Sequence, residues 1–220
     1  MTLTSIQAVI FDLDGTLADT IGDLGRAVNS VLSAHGFPEH SIPTLKNMVG
    51  NGFSALMRRA LPQDIVENEA LFRSLLDEAS SAYSRMALDT TKPYPGIVEL
   101  LASLRERKIA CAVLSNKPDA MTRAMVSALF PDIPFIAVMG DRPGQPRKPD
   151  PSSALAIVAL SGIFPSKWAF VGDSGVDMRT GEASGMLPLG VSWGFRGIEE
   201  LLENGAAGIL VKPYDFLHYL

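Results

Sequence analysis

The sequence predicts an α/β protein, a doubly wound parallel sheet with an inserted all-helical domain. Three observations predict it. Short runs that are apolar at every position punctuate the chain, as strands covered on both faces require. Between those runs, apolar residues recur at helical spacing. One interval between strands is far longer than a crossover connection needs, and it reads as helical almost throughout.

The elements follow in order. Ala8-Val9-Ile10-Phe11 is the first buried strand, and Asp12 ends it. Ile21, Leu24, Val28, Val31 and Leu32 then mark a helix that stops before Gly36. Further helical stretches span 53–61 and 65–86. Pro95-Gly96 precede Ile97, Leu100, Leu101 and Leu104, whose spacing predicts the crossover helix. Ile109 to Leu114 is the second apolar run, followed by Ser115. Met121, Met125, Val126 and Leu129 predict a helix after Pro118, and Pro151 opens another through Leu155 and Val158. Trp168 to Val171 is the third strong strand, followed by Gly172-Asp173. Weaker strands are expected at Phe135–Met139, Leu187–Val191 and Gly208–Val211. The long helical interval therefore predicts a core of residues 1–17 and 89–220 and a cap of residues 18–88. Its hinges are expected at Gly15–Ala18 and Thr90–Gly96.

Composition narrows the partners. With 220 residues, 47% hydrophobic and 20% charged, the chain has ample material for a core and is not disordered. Net charge is −5, from 19 basic and 24 acidic residues without a basic run. That argues against nucleic acid or an anionic membrane as partner. The cap segment, with six basic and eight acidic residues, does not change this. Cys111 is the single cysteine, which excludes an intramolecular disulfide and a thiolate metal cluster and suits a reducing cytoplasm. No basic residue precedes Arg26, so no secretory or transit signal is expected. The longest clear apolar run has six residues, whereas a membrane span needs ~18 or more. The expectation is a cytoplasmic monomer or homodimer acting on a small molecule.

In open α/β sheets, ligands bind beyond the carboxyl ends of the strands. The three strong strands deliver Asp12, Ser115 and Asp173 to that edge. A single aspartate after a strand often only caps the next helix; the three together point to a site. Asp12 and Asp14 share one face of an extended segment. Paired carboxylates suit magnesium, which takes hard oxygen ligands. They also divide the work of nucleophile and general acid/base. Gly15 permits a sharp turn, and Thr16 offers a hydroxyl.

The string DLDGTLADT at residues 12–20 resembles the first motif of the haloacid dehalogenase-like hydrolase superfamily, whose members are mostly phosphatases on a Rossmann-like fold. Leu114-Ser115-Asn116-Lys117 resembles its second motif, and Arg147-Lys148-Pro149-Asp150-Pro151 its third. Val171-Gly172-Asp173-Ser174-Gly175-Val176-Asp177-Met178 resembles its fourth. Val49-Gly50-Asn51-Gly52, Tyr94-Pro95-Gly96 and Val191 to Phe195 are similar to stretches of phosphoglycolate phosphatases. The resemblance implies that Asp12 attacks phosphorus, Asp14 acts as acid and base, and Lys148 stabilises charge. It implies a magnesium ion held by Asp12, the Asp14 carbonyl and Asp173, with Asp177 as an outer ligand or an anchor for Lys148. Thr16, Ser115 and Asn116 would bind phosphate. Asn51 in the cap loop would meet the rest of the substrate. Separately from the resemblance, Arg58 or its neighbour Arg59, on the helix after that loop, would either lie on a solvated face or reach down to read a substrate carboxylate.

The function so implied is a magnesium-dependent phosphomonoesterase working through an aspartyl-phosphate, with phosphoglycolate the leading substrate. A phosphomutase similar to β-phosphoglucomutase, a 2-haloacid dehalogenase and a catalytically idle binding module are the competing readings. Asp14 speaks against the dehalogenase, which has no leaving alkoxide to protonate. The Gly-Asn-Gly loop leans against the mutase. His35, His40, His218 and Cys111 are expected to serve surface or packing roles.

Overall fold

A computed structural model describes residues 6–220, so residues 1–5 of the expected core segment, which also belong to the stretch where no signal is expected, lie outside the described residues. The first strand β1 (Ala8–Phe11) leads to a two-residue strand β2 (Ala18–Asp19). Five helices follow: α1 (Ile21–Ala34), α2 (Ile42–Met48), α3 (Phe53–Ala60), α4 (Gln63–Glu67) and α5 (Glu69–Met86). The chain returns through β3 (Lys92–Pro93) and α6 (Ile97–Glu106) to β4 (Ala110–Pro118). Then come α7 (Asp119–Leu129), β5 (Ala137–Asp141), α8 (Ser152–Ser161) and β6 (Trp168–Gly172). The remainder is α9 (Gly175–Ala183), β7 (Leu187–Val191), α10 (Ile198–Glu203) and β8 (Gly208–Leu210).

Six strands form one parallel sheet in the order β5-β4-β1-β6-β7-β8. The chain leaves β1 in one direction through β4 and β5, then returns to its other side with β6. The switch point therefore lies between β1 and β6, where α/β sheets open a crevice. β1 is apolar at every position because both its faces are covered. Val9 and Phe11 pack into one core cluster, Ala8 and Ile10 into the other.

The helical insert has its own packing. Leu24, Val28, Val31 and Leu32 of α1 face Phe72, Leu75, Ala79 and Tyr83 of α5 across a shared apolar seam. Three local readings change. Helix α2 was not expected, because its one buried side chain, Leu45, leaves no periodic stripe. Ser41 caps it instead, accepting from the Thr44 N–H at 3.3 Å, with Pro43 in the first turn. The expected helix 65–86 is broken at Asn68, whose side chain caps α5 by accepting from the Leu71 N–H at 3.2 Å. In the sheet, β5 starts at Ala137, two residues later than the pattern suggested. No helix among the described residues is long and apolar enough to cross a membrane.

The two segments expected to act as hinges lie side by side. β2 and β3 pair antiparallel, Ala18 with Pro93 and Asp19 with Lys92. Asp23, in the first turn of α1, fastens the junction from within. Its carboxylate accepts from the N–H groups of Thr90 and Thr91 at 3.0 and 2.9 Å and from the Thr91 hydroxyl at 2.7 Å. The Thr90 hydroxyl donates as well, and Arg26 pairs with it at 2.8 Å. Burial would raise this carboxyl, but the bonds from Thr90, Thr91 and Arg26 hold it down at about 2. Its contribution to stability is therefore full above the ordinary value of 3.8 and is lost as pH falls through about 2. Asp23→Ala is expected to cost about 3 kcal/mol by urea unfolding near neutral pH, with the four threonine donors left unmatched. The difference from wild type should shrink below pH 4 and vanish near pH 2.

Candidate active site

Asp12 follows β1 directly and Asp173 follows β6, so adjacent strands bring the two carboxylates to one edge. Asp173 is held by the Phe195 N–H, which donates to Oδ2 at 2.7 Å. The backbones of Gly15 and Gly194 close on the same carboxylate, where any Cβ would collide with it. Ser115, Asn116 and Lys117 project where the register between β4 and β5 shifts after Leu114. An irregularity of this kind re-aims side chains out of the sheet.

Lys148 comes from the loop between β5 and α8. Its Nζ lies 2.9 Å from Asp12 Oδ1 and 2.7 Å from Asp177 Oδ1. The other oxygen of Asp177 accepts from the Ser174 hydroxyl and N–H at 2.6 and 3.1 Å. Asp177 thus has both oxygens engaged, one by Lys148 and the other by Ser174. The Asn116 side chain clamps the Lys148 backbone, accepting from its N–H at 3.0 Å and donating to its carbonyl at 3.1 Å.

The charges crowd together. Ligand oxygens of Asp12, Asp173 and Asp177 all lie within 4.8 Å of one another, and all three residues are buried. Burial pushes the Asp12 carboxyl up to about 7; Lys148 pulls it down, while Asp177 and Asp14 add to the rise. Burial, followed by Asp177 and Asp12, sets Asp173 well above the carboxylate range. For Lys148, burial is outweighed by Asp12 and Asp177, which hold it above the ordinary lysine value. One lysine against three carboxylates leaves the cluster short of positive charge. Hard oxygen donors in that condition suit a divalent cation.

Asp12, Asp14, Ser115, Asn116, Lys148 and Asp173 line a single cleft, roofed by Gly50, Phe53, Leu56 and Tyr83 of the helical insert. Asp177, behind Lys148, stands outside its lining, and so do three expected phosphate or substrate contacts. Thr16 is fully buried, and its hydroxyl has no hydrogen-bond partner among the described residues. Asn51 is exposed between two glycines that do line the cleft. Arg58 points along the insert surface, 3.2 Å from Glu69 and over the Phe72 ring at 4.0 Å. Arg59 donates to the Met48 carbonyl at 2.6 Å. Two cations not predicted for the site line the cleft instead. Lys117 bonds Asp14 at 2.7 Å and the Tyr83 hydroxyl at 2.8 Å. Arg196, after β7, reaches the carbonyls of Asn47, at 2.8 Å, and Val49. Lys117 sits inside the second motif and was open to notice; Arg196 has no sequence signal. Cys111 is buried in β4, and burial pushes its thiol up to about 12, in keeping with a packing role.

The parallel sheet opens at this switch point, and carboxylates converge on it from β1 and β6. The family described as haloacid dehalogenase-like hydrolase matches residues 9–191, and the chain belongs to it. Among its relatives is phosphoglycolate phosphatase 1 of Pseudomonas aeruginosa, 30% identical over 96% of this chain and 78% of that protein. Phosphoglycolate phosphatase of Psychrobacter arcticus is 34% identical over 86% of this chain and 84% of its own length. A solved structure of a protein from Lactobacillus delbrueckii subsp. bulgaricus superposes with a TM-score of 0.90, at 29% identity, covering 97% of each chain.

Proposed function

We propose that the protein is a magnesium-dependent phosphatase that hydrolyses 2-phosphoglycolate through an aspartyl-phosphate. The observation that carries this is the pairing of Asp12, held 2.9 Å from Lys148, with Asp14 two residues on in the same cleft. The names of the two curated relatives supply the substrate.

The residues divide the reaction as follows. Lys148 keeps a positive charge beside Asp12, which offsets repulsion from the phosphate dianion. Ser115 and the backbone N–H groups near Leu13 and Asn116 hold the phosphate oxygens. A carboxylate oxygen of Asp12 forms a bond to phosphorus as the ester P–O bond breaks, and Asp14 gives its proton to the departing alkoxide. Asp14 then takes a proton from water, whose oxygen bonds to phosphorus as the bond to Asp12 breaks. Inorganic phosphate leaves and both carboxyls are restored. A bound magnesium ion, held by Asp12, Asp173 and the Asp14 carbonyl, would supply the positive charge that lets the dianion approach. Residues 18–88 serve in this reading as a cap that closes over residues 1–17 and 89–220, turning on the paired hinge strands.

The test is phosphate release from a panel of phosphorylated metabolites. Activity with magnesium is expected on 2-phosphoglycolate, to fall at least ~100-fold with a chelator, and to return on adding the ion. A panel without any phosphate release removes the proposal.

A further inference from the structure

Three cations line the cleft, and their partners separate their tasks. Lys148 is committed to Asp12 and Asp177. Arg196 is committed to the carbonyls of Asn47 and Val49 in the loop above. Lys117 differs. Its side chain is 3% exposed and borders the cleft. Of its three donors, two have hydrogen-bond partners among the described residues: Asp14 at 2.7 Å and the Tyr83 hydroxyl at 2.8 Å.

Lys117 therefore stands next to the carboxyl that meets the leaving oxygen. From that oxygen through Asp14 to Lys117 is two hydrogen bonds and at most the width of a carboxylate, roughly 5.5 to 7.5 Å in all. A carboxylate on the ester carbon extends toward the lysine over about half that span. Next to Tyr83, the side chains of Phe53 and Leu56 offer no donor. Phe53 stacks on the Tyr83 ring, with centroids 5.7 Å apart, and fixes where its hydroxyl points. Arg58, the expected reader of a substrate carboxylate, is turned to Glu69 instead.

We propose that Lys117 and the Tyr83 hydroxyl together form the carboxylate-reading subsite, so that the substrate class is a phosphate ester whose ester carbon bears a carboxylate. This rests on the phosphatase reading above and assigns its specificity to two residues. One comes from the sheet edge and the other from α5, so the subsite is complete only with the insert seated.

The experiment compares kcat/KM for 2-phosphoglycolate and 2-hydroxyethyl phosphate, which replaces the carboxylate with a hydroxymethyl group. Wild type with magnesium is expected to favour 2-phosphoglycolate by roughly 100-fold or more. In Lys117→Met both substrates slow, because Asp14 loses its partner, but the ratio between them falls roughly 10- to 100-fold. Tyr83→Phe lowers the ratio by roughly 3- to 10-fold and decides alone if Lys117→Met does not fold. A ratio unchanged in both folded variants overturns the assignment, as does a wild type that hydrolyses the two equally. A wild type that hydrolyses neither, nor any phosphate ester of the panel, removes the phosphatase reading itself, a distinct result.

Discussion

Asp12→Asn is expected to abolish phosphate release, lowering kcat by at least ~1,000-fold, while the fold stays intact. Asparagine keeps the shape of the side chain but not its nucleophilic charge. The stability of the metal-free protein should move the other way. Burial holds Asp12 up at about 7 against its ordinary 3.8, so the native state disfavours the ionised form. That cost is absent below pH 3.8 and grows as pH rises through about 7, so wild type loses stability over this window and the variant loses less. With a chelator at pH 8, the variant should melt at or above the wild-type temperature. Near-wild-type turnover would sink the assignment of the nucleophile, and a steep loss of melting temperature would sink the account of the charge cluster.

Lys148→Met is expected to damage both activity and stability. Its ammonium serves Asp12 and Asp177, and its removal leaves buried carboxylates facing one another. Breaking a buried ion pair on one side costs about 3–5 kcal/mol. The rate should fall by ~1,000-fold or more, since the charge beside the attacking oxygen is lost. The two effects separate in the pair Lys148→Met with Asp177→Asn. The second change removes the carboxylate that was stranded, so stability should recover in part while turnover does not. Urea unfolding and phosphate release on the four proteins measure this; full additivity in stability would show that Lys148 and Asp177 do not act as a unit.

Much of this was legible because it is periodic or terminal. The runs that became β1, β4 and β6 are apolar at every position, since helices or insert cover both sheet faces. Asp12, Ser115 and Asp173 follow from where those runs stop. What was not legible depends on contacts between distant segments. Lys117 and Tyr83 meet across the boundary between sheet and insert. Asp23 finds Thr90 and Thr91 only because β2 and β3 pair. Arg58 carries a charge that suited a substrate, but Glu69 and Phe72 were nearer. The break at Asn68 was missed because apolar spacing continues through it, and a capping side chain outweighed the period.

The position of β1 bears on how the molecule is made. Its partners in the sheet are β4 and β6, with Ala8 in register with Ala110 and Trp168. The four residues of β1 therefore leave the ribosome long before either neighbour exists. The seam between α1 and α5 needs nothing beyond Met86. Helices whose contacts are local gain order early, whereas long-range strand pairing waits on loop closure. A nascent chain can thus carry a formed helical insert above a strand that is still unpaired, and Asp12 meets Asp173 only when synthesis has passed β6. The acidic cluster is therefore a late assembly, since Phe195, which holds Asp173, also follows β6.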